Sequence, residues 1–535
     1  MSVLGGHDAS SHLATESFLS LTTRVLQIMW LAIALSLLAG WLLYKYYISV
    51  YDLFKKRGIP YYPSKFPYGC SYEILAQSKF LGDIHDEMYK KLAPNPMFGF
   101  FVVRVPMLQI RDPELIRFVL TKEFSHFRDR MFIKLSEKDI LNQHLFNLDG
   151  ERWRALRVKL TPTFTSGKMK AMFPLFVNCA EAFESLVVSK IGSDVDIKDI
   201  VGRLMTDIIC SCAFGLDTNT INEPDHKLRQ IPAQLSKMGF IDKVIIAIMQ
   251  AMPQVASKFK ARFTPQELED YIVNLVENTL EYREKNNIKR NDFLDLLIEL
   301  KNKGTLGEDM RDEIEEQKCQ PFEFNNGLMA AQCFVFLFAG FETSSSVQSF
   351  CLYELAINQD IQARVKKEIN EIIEKHGGLT YQAVKEMEYL DMVISETMRK
   401  YPTLPILMRY CSKSITTPYG YKIEAGDTII IPVWSLHHDP EYYPNPEKFD
   451  PERFSSQNIE SINPYTYLPF GEGPRMCIGM RFGKLQTKVG LITLLRNCRV
   501  EPCGATKIPL VIGPSSMLTM PKDPIELKLV PQSSS

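Results

Sequence analysis

The chain has 535 residues, a formal net charge of −1, 45% hydrophobic and 23% charged residues, a balance typical of a globular protein with a sizeable core. No long basic run with interleaved aromatics is present, which argues against a nucleic-acid partner. Eleven cysteines, an odd number with only Cys210 and Cys212 close together, make no disulfide framework and fit a reducing compartment.

Residues 1–24 form a short leader whose acidic Asp8 and Glu16 do not suit a mitochondrial presequence. Val25–Tyr44 then runs without a charge, over about the 20 residues that cross a bilayer core. A buried core helix and a cleaved signal peptide are the alternatives. Trp30, Trp41, Tyr44, Tyr46 and Tyr47 suit an interfacial belt, and no small-residue cleavage site follows, so the segment reads as an uncleaved anchor. Arg24 stands against Lys45, Lys55, Lys56 and Arg57, which places the body on the cytoplasmic side. The endoplasmic reticulum membrane is the expected address, with a single pass. Residues 45–67 read as a basic linker ending in a proline-rich hinge at Pro60, Pro63 and Pro67.

Residues 68–535 read as one large, mainly α domain with a small β part. Phe101–Ile110 and Lys422–Ile431 are each predicted as a strand. Trp153 and Arg157 lie one helical turn apart and can reach the same carboxylate. Lys301–Gln320 reads as a solvated loop and helix edge. From Phe324 to Asn358 the chain lacks proline and is apolar nearly all round in its middle, which predicts a helix through the protein centre. Within it, Ala339-Gly340-Phe-Glu342-Thr343 places a glycine and an alcohol on one face. A mid-helix glycine costs about 1 kcal/mol relative to alanine, so its presence points to something flat or small needing room. Glu396 and Arg399 are an i, i+3 pair on a helix that ends before Pro402. His437-His438-Asp439 has no third spaced ligand and is not read as a metal site.

The strongest signal is Phe470-Gly-Glu-Gly473-Pro-Arg475-Met-Cys477-Ile-Gly479, followed by a predicted helix over Met480–Leu495. Met476 breaks a dinucleotide-loop spacing, and Leu485 stands where a phosphate loop needs Ser or Thr. Cys411, Cys498 and Cys503 are too distant in sequence for a zinc or iron–sulfur cluster. A structural cysteine is the default for the residue alone. Its frame favours a thiolate ligand for haem iron: Gly473 and Gly479 let backbone approach a flat cofactor, while Arg475 and the following helix N-terminus lower the thiol pKa.

This segment resembles the F-x-x-G-x-R-x-C-x-G loop of the cytochrome P450 family, with every fixed position matched. The resemblance implies the cytochrome P450 fold and heme b (iron protoporphyrin IX), held by Cys477 on the metal. It implies that Trp153, Arg157, Arg409 and Arg475 reach the propionates, and that Gly340, Phe470 and Gly479 also line the cofactor. Ala339–Thr343 is similar to the family motif in which an acid and an alcohol, here Glu342 and Thr343, relay protons to dioxygen. Glu396, Arg399 and Arg453 match an architectural network.

The resemblance also implies electrons from NADPH through NADPH-cytochrome P450 reductase, with cytochrome b5 as a further partner and Arg481, Lys484 and Lys488 as a basic docking face. It is closest to arthropod microsomal enzymes that oxidise lipophilic foreign compounds such as plant toxins and insecticides. Met476 departs from that branch, which usually has asparagine there. Phe132–Leu141, Phe334–Phe338 and Leu404–Met408 are the candidate pocket walls. The same machinery in hormone or pheromone biosynthesis, or a non-oxygenating haem-thiolate isomerase or binder, are the alternative functions.

Overall fold

The computed structural model describes residues 8–532 apart from 71, 77, 131–137, 237–263, 303–304, 307–321 and 515–516. Most of the expected loop at Lys301–Gln320, most of the pocket wall at Phe132–Leu141 and the end of the chain at 533–535 lie outside the described residues.

Helix α1, Asp8–Ile48, runs unbroken from leader into anchor. Every side chain from Thr22 to Tyr46 is exposed, and Thr22–Lys56 is long and apolar enough to cross a membrane. An apolar helix with no protein packed against it cannot be a core helix, so that alternative falls.

The segment after the anchor differs from the expected hinge. Phe54 is fully buried and lies against Phe101, with ring centroids 4.9 Å apart. Arg57 pairs with Asp427 at 2.7 Å, Tyr51 donates to the carbonyl of Val103 at 2.9 Å, and the Arg104 guanidinium lies 3.9 Å over the Tyr46 ring. The prolines do stop helix and strand, but the aromatics between anchor and prolines dock the chain onto a sheet. The folded body therefore begins before residue 68.

That sheet contains β1 (Met97–Val102) and β2 (Val105–Ile110), an antiparallel hairpin with Phe101 opposite Pro106. The single strand expected over Phe101–Ile110 is thus two, broken where Val103 takes a positive φ of 57°. After β3 (Asp194–Asp196), the chain returns to this sheet through β4 (Leu407–Tyr410) and β5 (Thr428–Ile431). Their order is β1-β2-β5-β4, with β5 parallel to β2. Lys422–Ile431 also divides, because a turn with Gly426 at φ 101° separates Lys422–Ile423 from β5. Strands β6 (Cys498–Pro502) and β7 (Glu526–Pro531) form a second small sheet with β3, in the order β6-β7-β3.

The helices that build the site are α2 (Gly150–Leu160), α3 (Ser166–Ser189), α4 (Ile197–Ile209), α5 (Asn326–Ile357), α6 (Glu388–Lys400) and α7 (Met480–Asn497). The central helix predicted over Phe324–Asn358 is α5, opened by Asn325, whose side chain accepts from the Leu328 N–H at 2.9 Å. It packs along α4 and crosses α7. Phe164, Phe293, Phe336 and Phe482 stack beside it, with centroids 4.3 Å apart for Phe293 and Phe336. Phe336 and the buried Phe334 therefore pack into the core.

Candidate active site

The loop before α7 is folded by its glycines. Gly471 and Gly473 have φ of 69° and 76°, and a Cβ on Gly473 would collide with the backbone carbonyl of Leu120. The role expected of Gly473, admitting a flat cofactor, is corrected: it admits a neighbouring peptide. Alanine at 473 is expected to cost about 1–2 kcal/mol for its backbone conformation alone, with the collision in addition. Thermal unfolding of the Gly473→Ala protein checks this. Gly479, by contrast, has open space where its Cβ would be.

The Cys477 N–H donates to the Phe470 carbonyl at 2.9 Å and closes the loop. Cys477 is solvent-accessible, yet burial pushes its thiol pKa up, opposed by the Gly479 N–H and by Arg130 and Arg157. The two observations agree if the thiol lies deep in the molecule and opens on internal space. The expected lowering of the thiol pKa is not found for the metal-free group, since desolvation outweighs the nearby cations. A coordinating metal deprotonates a thiol outright.

Nor is Arg475 the cation that favours the thiolate. Its guanidinium turns away, donating to the carbonyls of Arg128 at 2.9 Å and Leu148 at 2.8 Å and pairing with Asp149 at 3.2 Å. It lies 4.1 Å over the buried Trp153 ring. Burial and the neighbouring Arg130 push its pKa down to about 9. Arg130 is lowered to about 10, by burial first and also by Arg157. Arg409, almost fully buried, is lowered well below its ordinary value by burial and by Arg130 and Arg475.

Four guanidinium groups thus share one region. Arg409 Nε and Arg475 Nη1 are buried there without hydrogen-bond partners among the described residues. Like charges with unmet donors make an incomplete site, completed by an anion. The carboxylates of haem b fit it. Arg130 had no pattern in the sequence to single it out.

Helix α5 carries the second group of expected site residues. Ala339 is exposed in a helix that is otherwise mostly buried, and Val335 and Thr343, four residues to either side, are part-exposed on the same face. Thr343 Oγ1 donates to the Ala339 carbonyl at 2.6 Å. Glu342 is buried and ion-paired to Lys198 at the start of α4, so acid and alcohol leave the helix in different directions. A Cβ on Gly340 would collide with Ile209 of α4. Helix packing favours a small residue there, since the Ile209 side chain would have to shift to admit a Cβ.

The architectural network is present. Arg399 donates to both oxygens of Glu396 at 2.7 and 2.8 Å, and Arg453 Nε lies 3.5 Å from Glu396. His437 donates from Nδ1 to the Arg399 carbonyl at 3.0 Å and accepts at Nε2 from the Leu468 N–H at 2.9 Å, tying this network to the loop before Cys477. Burial holds its pKa down to about 3, so it serves as a neutral strut. Lys488 corrects the expected basic face: it is buried and donates to the carbonyls of Val384 and Met387 and to Asp391. Arg481 is exposed and Lys484 part-exposed.

An accessible thiol deep in an α-rich fold, with a cationic cradle for carboxylates beside it and a helical notch carrying a threonine, defines a haem-thiolate protein. The family model for cytochrome P450 matches residues 60–529. The chain is 39% identical to cytochrome P450 6a2 of Drosophila melanogaster, over 92% of this chain and 97% of that one. It is 38% identical to cytochrome P450 6j1 of Blattella germanica, over 88% and 92%. With cytochrome P450 6A1 of Musca domestica the identity is 37%, over 90% and 94%. The chain belongs to the cytochrome P450 family, whose members are haem-dependent monooxygenases.

Proposed function

We propose that this chain is a membrane-anchored monooxygenase of lipophilic small molecules, foreign compounds such as plant toxins and insecticides foremost. It takes electrons from NADPH through a flavoprotein reductase at the endoplasmic reticulum, with cytochrome b5 as a second donor. The observations that carry the reading are the accessible Cys477 thiol beside the arginine cradle and the tie between its helix and the threonine turn: Gln486 Nε2 of α7 donates to the Gly340 carbonyl of α5 at 2.9 Å.

Haem, when bound, supplies an iron that binds and activates O2. Cys477 supplies the thiolate, while Trp153, Arg157, Arg409 and Arg475, joined by Arg130, hold the carboxylates. Phe470, Gly479 and Gly340 are further cofactor-lining positions. Thr343 carries a proton on Oγ1, hydrogen-bonded to the Ala339 carbonyl, and Glu342, ion-paired to Lys198, is the acidic group that passes protons toward it. The exposed apolar helix α1 keeps the body at a membrane, where lipophilic compounds concentrate.

A reduced carbon monoxide difference spectrum tests the haem-thiolate reading. Absorption far to the red of an imidazole-ligated haem is expected, and its absence would overturn the reading. Reconstitution with reductase and NADPH tests the activity, and no substrate-dependent oxygen uptake across a panel of lipophilic compounds would sink it. Thr343→Val removes the hydroxyl at nearly constant volume. It is expected to lower product formed per NADPH by about tenfold, within the range of general acid–base effects, as read by parallel assay of product and NADPH.

A further inference from the structure

Gln486 is fully buried on α7, nine positions after Cys477. Besides its bond to the Gly340 carbonyl, its Nε2 donates to Ser344 Oγ. A carbonyl accepts only, so the nitrogen of the amide must face α5. Gln486 Oε1 is buried without a partner among the described residues, and the amide's bonds therefore all go to the central helix. Close approach of the two helices is built in, because a Cβ on Gly490 of α7 would collide with the Gln348 amide of α5.

The bonded residues bracket Thr343. Its own hydroxyl takes up the Ala339 carbonyl, and Gln486 takes up the next carbonyl along, together with the side chain that follows Thr343. The helix turn carrying the alcohol is thus held from within by Thr343 and from outside by the helix that starts three residues after the thiol.

We propose that Gln486 is a positioning residue for oxygen activation, fixing the Thr343 turn in register with the Cys477 loop. It rests on the reading of Cys477 and Thr343 given above. No contact of Gln486 with substrate or cofactor is required.

The test uses the full-length chain in vesicles with reductase. Gln486→Met keeps volume and flexibility but cannot donate. Gln486→Glu keeps the shape and, buried, is neutral and able to donate from its carboxylic O–H. Gln486→Met is expected to retain the thiolate spectrum while product per NADPH falls by about tenfold, the scale of a small misplacement, with peroxide released instead. The C–O stretching band of its reduced carbon monoxide adduct should also move, reporting an altered wall beside the bound gas. Gln486→Glu should match the parent in both readouts.

The proposal is overturned if Gln486→Met leaves both readouts unchanged, whatever its melting temperature, or if it loses the thiolate spectrum while Gln486→Glu keeps it, since the residue then holds the fold and not the notch. A parent protein lacking the thiolate spectrum would instead sink the haem-thiolate reading itself.

Discussion

Replacing Cys477 by alanine is expected to abolish the red-shifted carbon monoxide spectrum and to reduce monooxygenase turnover on the order of 10³-fold or more, while the protein stays folded. The loop is shaped by backbone: the residue-477 N–H bond to the Phe470 carbonyl and the positive φ at Gly471 and Gly473 do not involve sulfur. The thiol is accessible and its deprotonation is opposed by burial, so its removal should change stability by no more than about 1 kcal/mol. Cys411 and Cys210 provide the comparison. Both are buried with thiol pKa values pushed up by desolvation, Cys411 to about 11, and alanine at either should leave the spectrum intact. Loss of the spectrum in those variants as well would mean that folding, not ligation, is being read.

Glu396→Ala is expected to be the most damaging substitution for stability. Glu396 and Arg399 are both fully buried, and removing one partner of such a pair costs about 3–5 kcal/mol because the other charge is left uncompensated. Burial pulls the Glu396 pKa up against the effect of Arg399, so a stranded carboxyl can take a proton, whereas a stranded guanidinium cannot shed one. Asp450 N–H also loses its acceptor, Glu396 Oε1 at 2.9 Å. Glu396→Gln, which keeps an acceptor for Arg399 and for Asp450, should fall between the two. Midpoints of urea unfolding, with haem retention followed in parallel, give the order. Equal midpoints for parent and Glu396→Ala would refute the account.

The parts of the site that were legible in sequence are those where chemistry needs a residue type at a fixed local spacing. The frame around Cys477, the Glu396–Arg399 pair and the extent of α5, expected over Phe324–Asn358 and found at Asn326–Ile357, are of this kind. Helix termini and short motifs depend on neighbours along the chain. Gly340 and Gly473 stood out in the sequence, but the neighbours they make room for did not, being distant along the chain: Ile209 and Leu120. Lys488 looked like part of a surface stripe with Arg481 and Lys484, and only the packing of α7 reveals that it spends its charge on buried carbonyls.

Local pattern by itself determined an exposed apolar helix long enough to span a membrane, a mainly helical body with a small sheet, and the cysteine proposed as the metal ligand, because hydrophobic length, periodicity and ligand type are written in adjacent residues. Tertiary structure alone decided the charges around that residue. Arg130 joins the cradle from a loop, Arg475 turns from the thiol toward Asp149, Lys198 claims Glu342, and Gln486 ties the thiol's helix to the threonine turn. Electrostatic and hydrogen-bond partners are set by proximity in space across hundreds of residues, and a buried polar group must be satisfied by whichever neighbour the fold delivers.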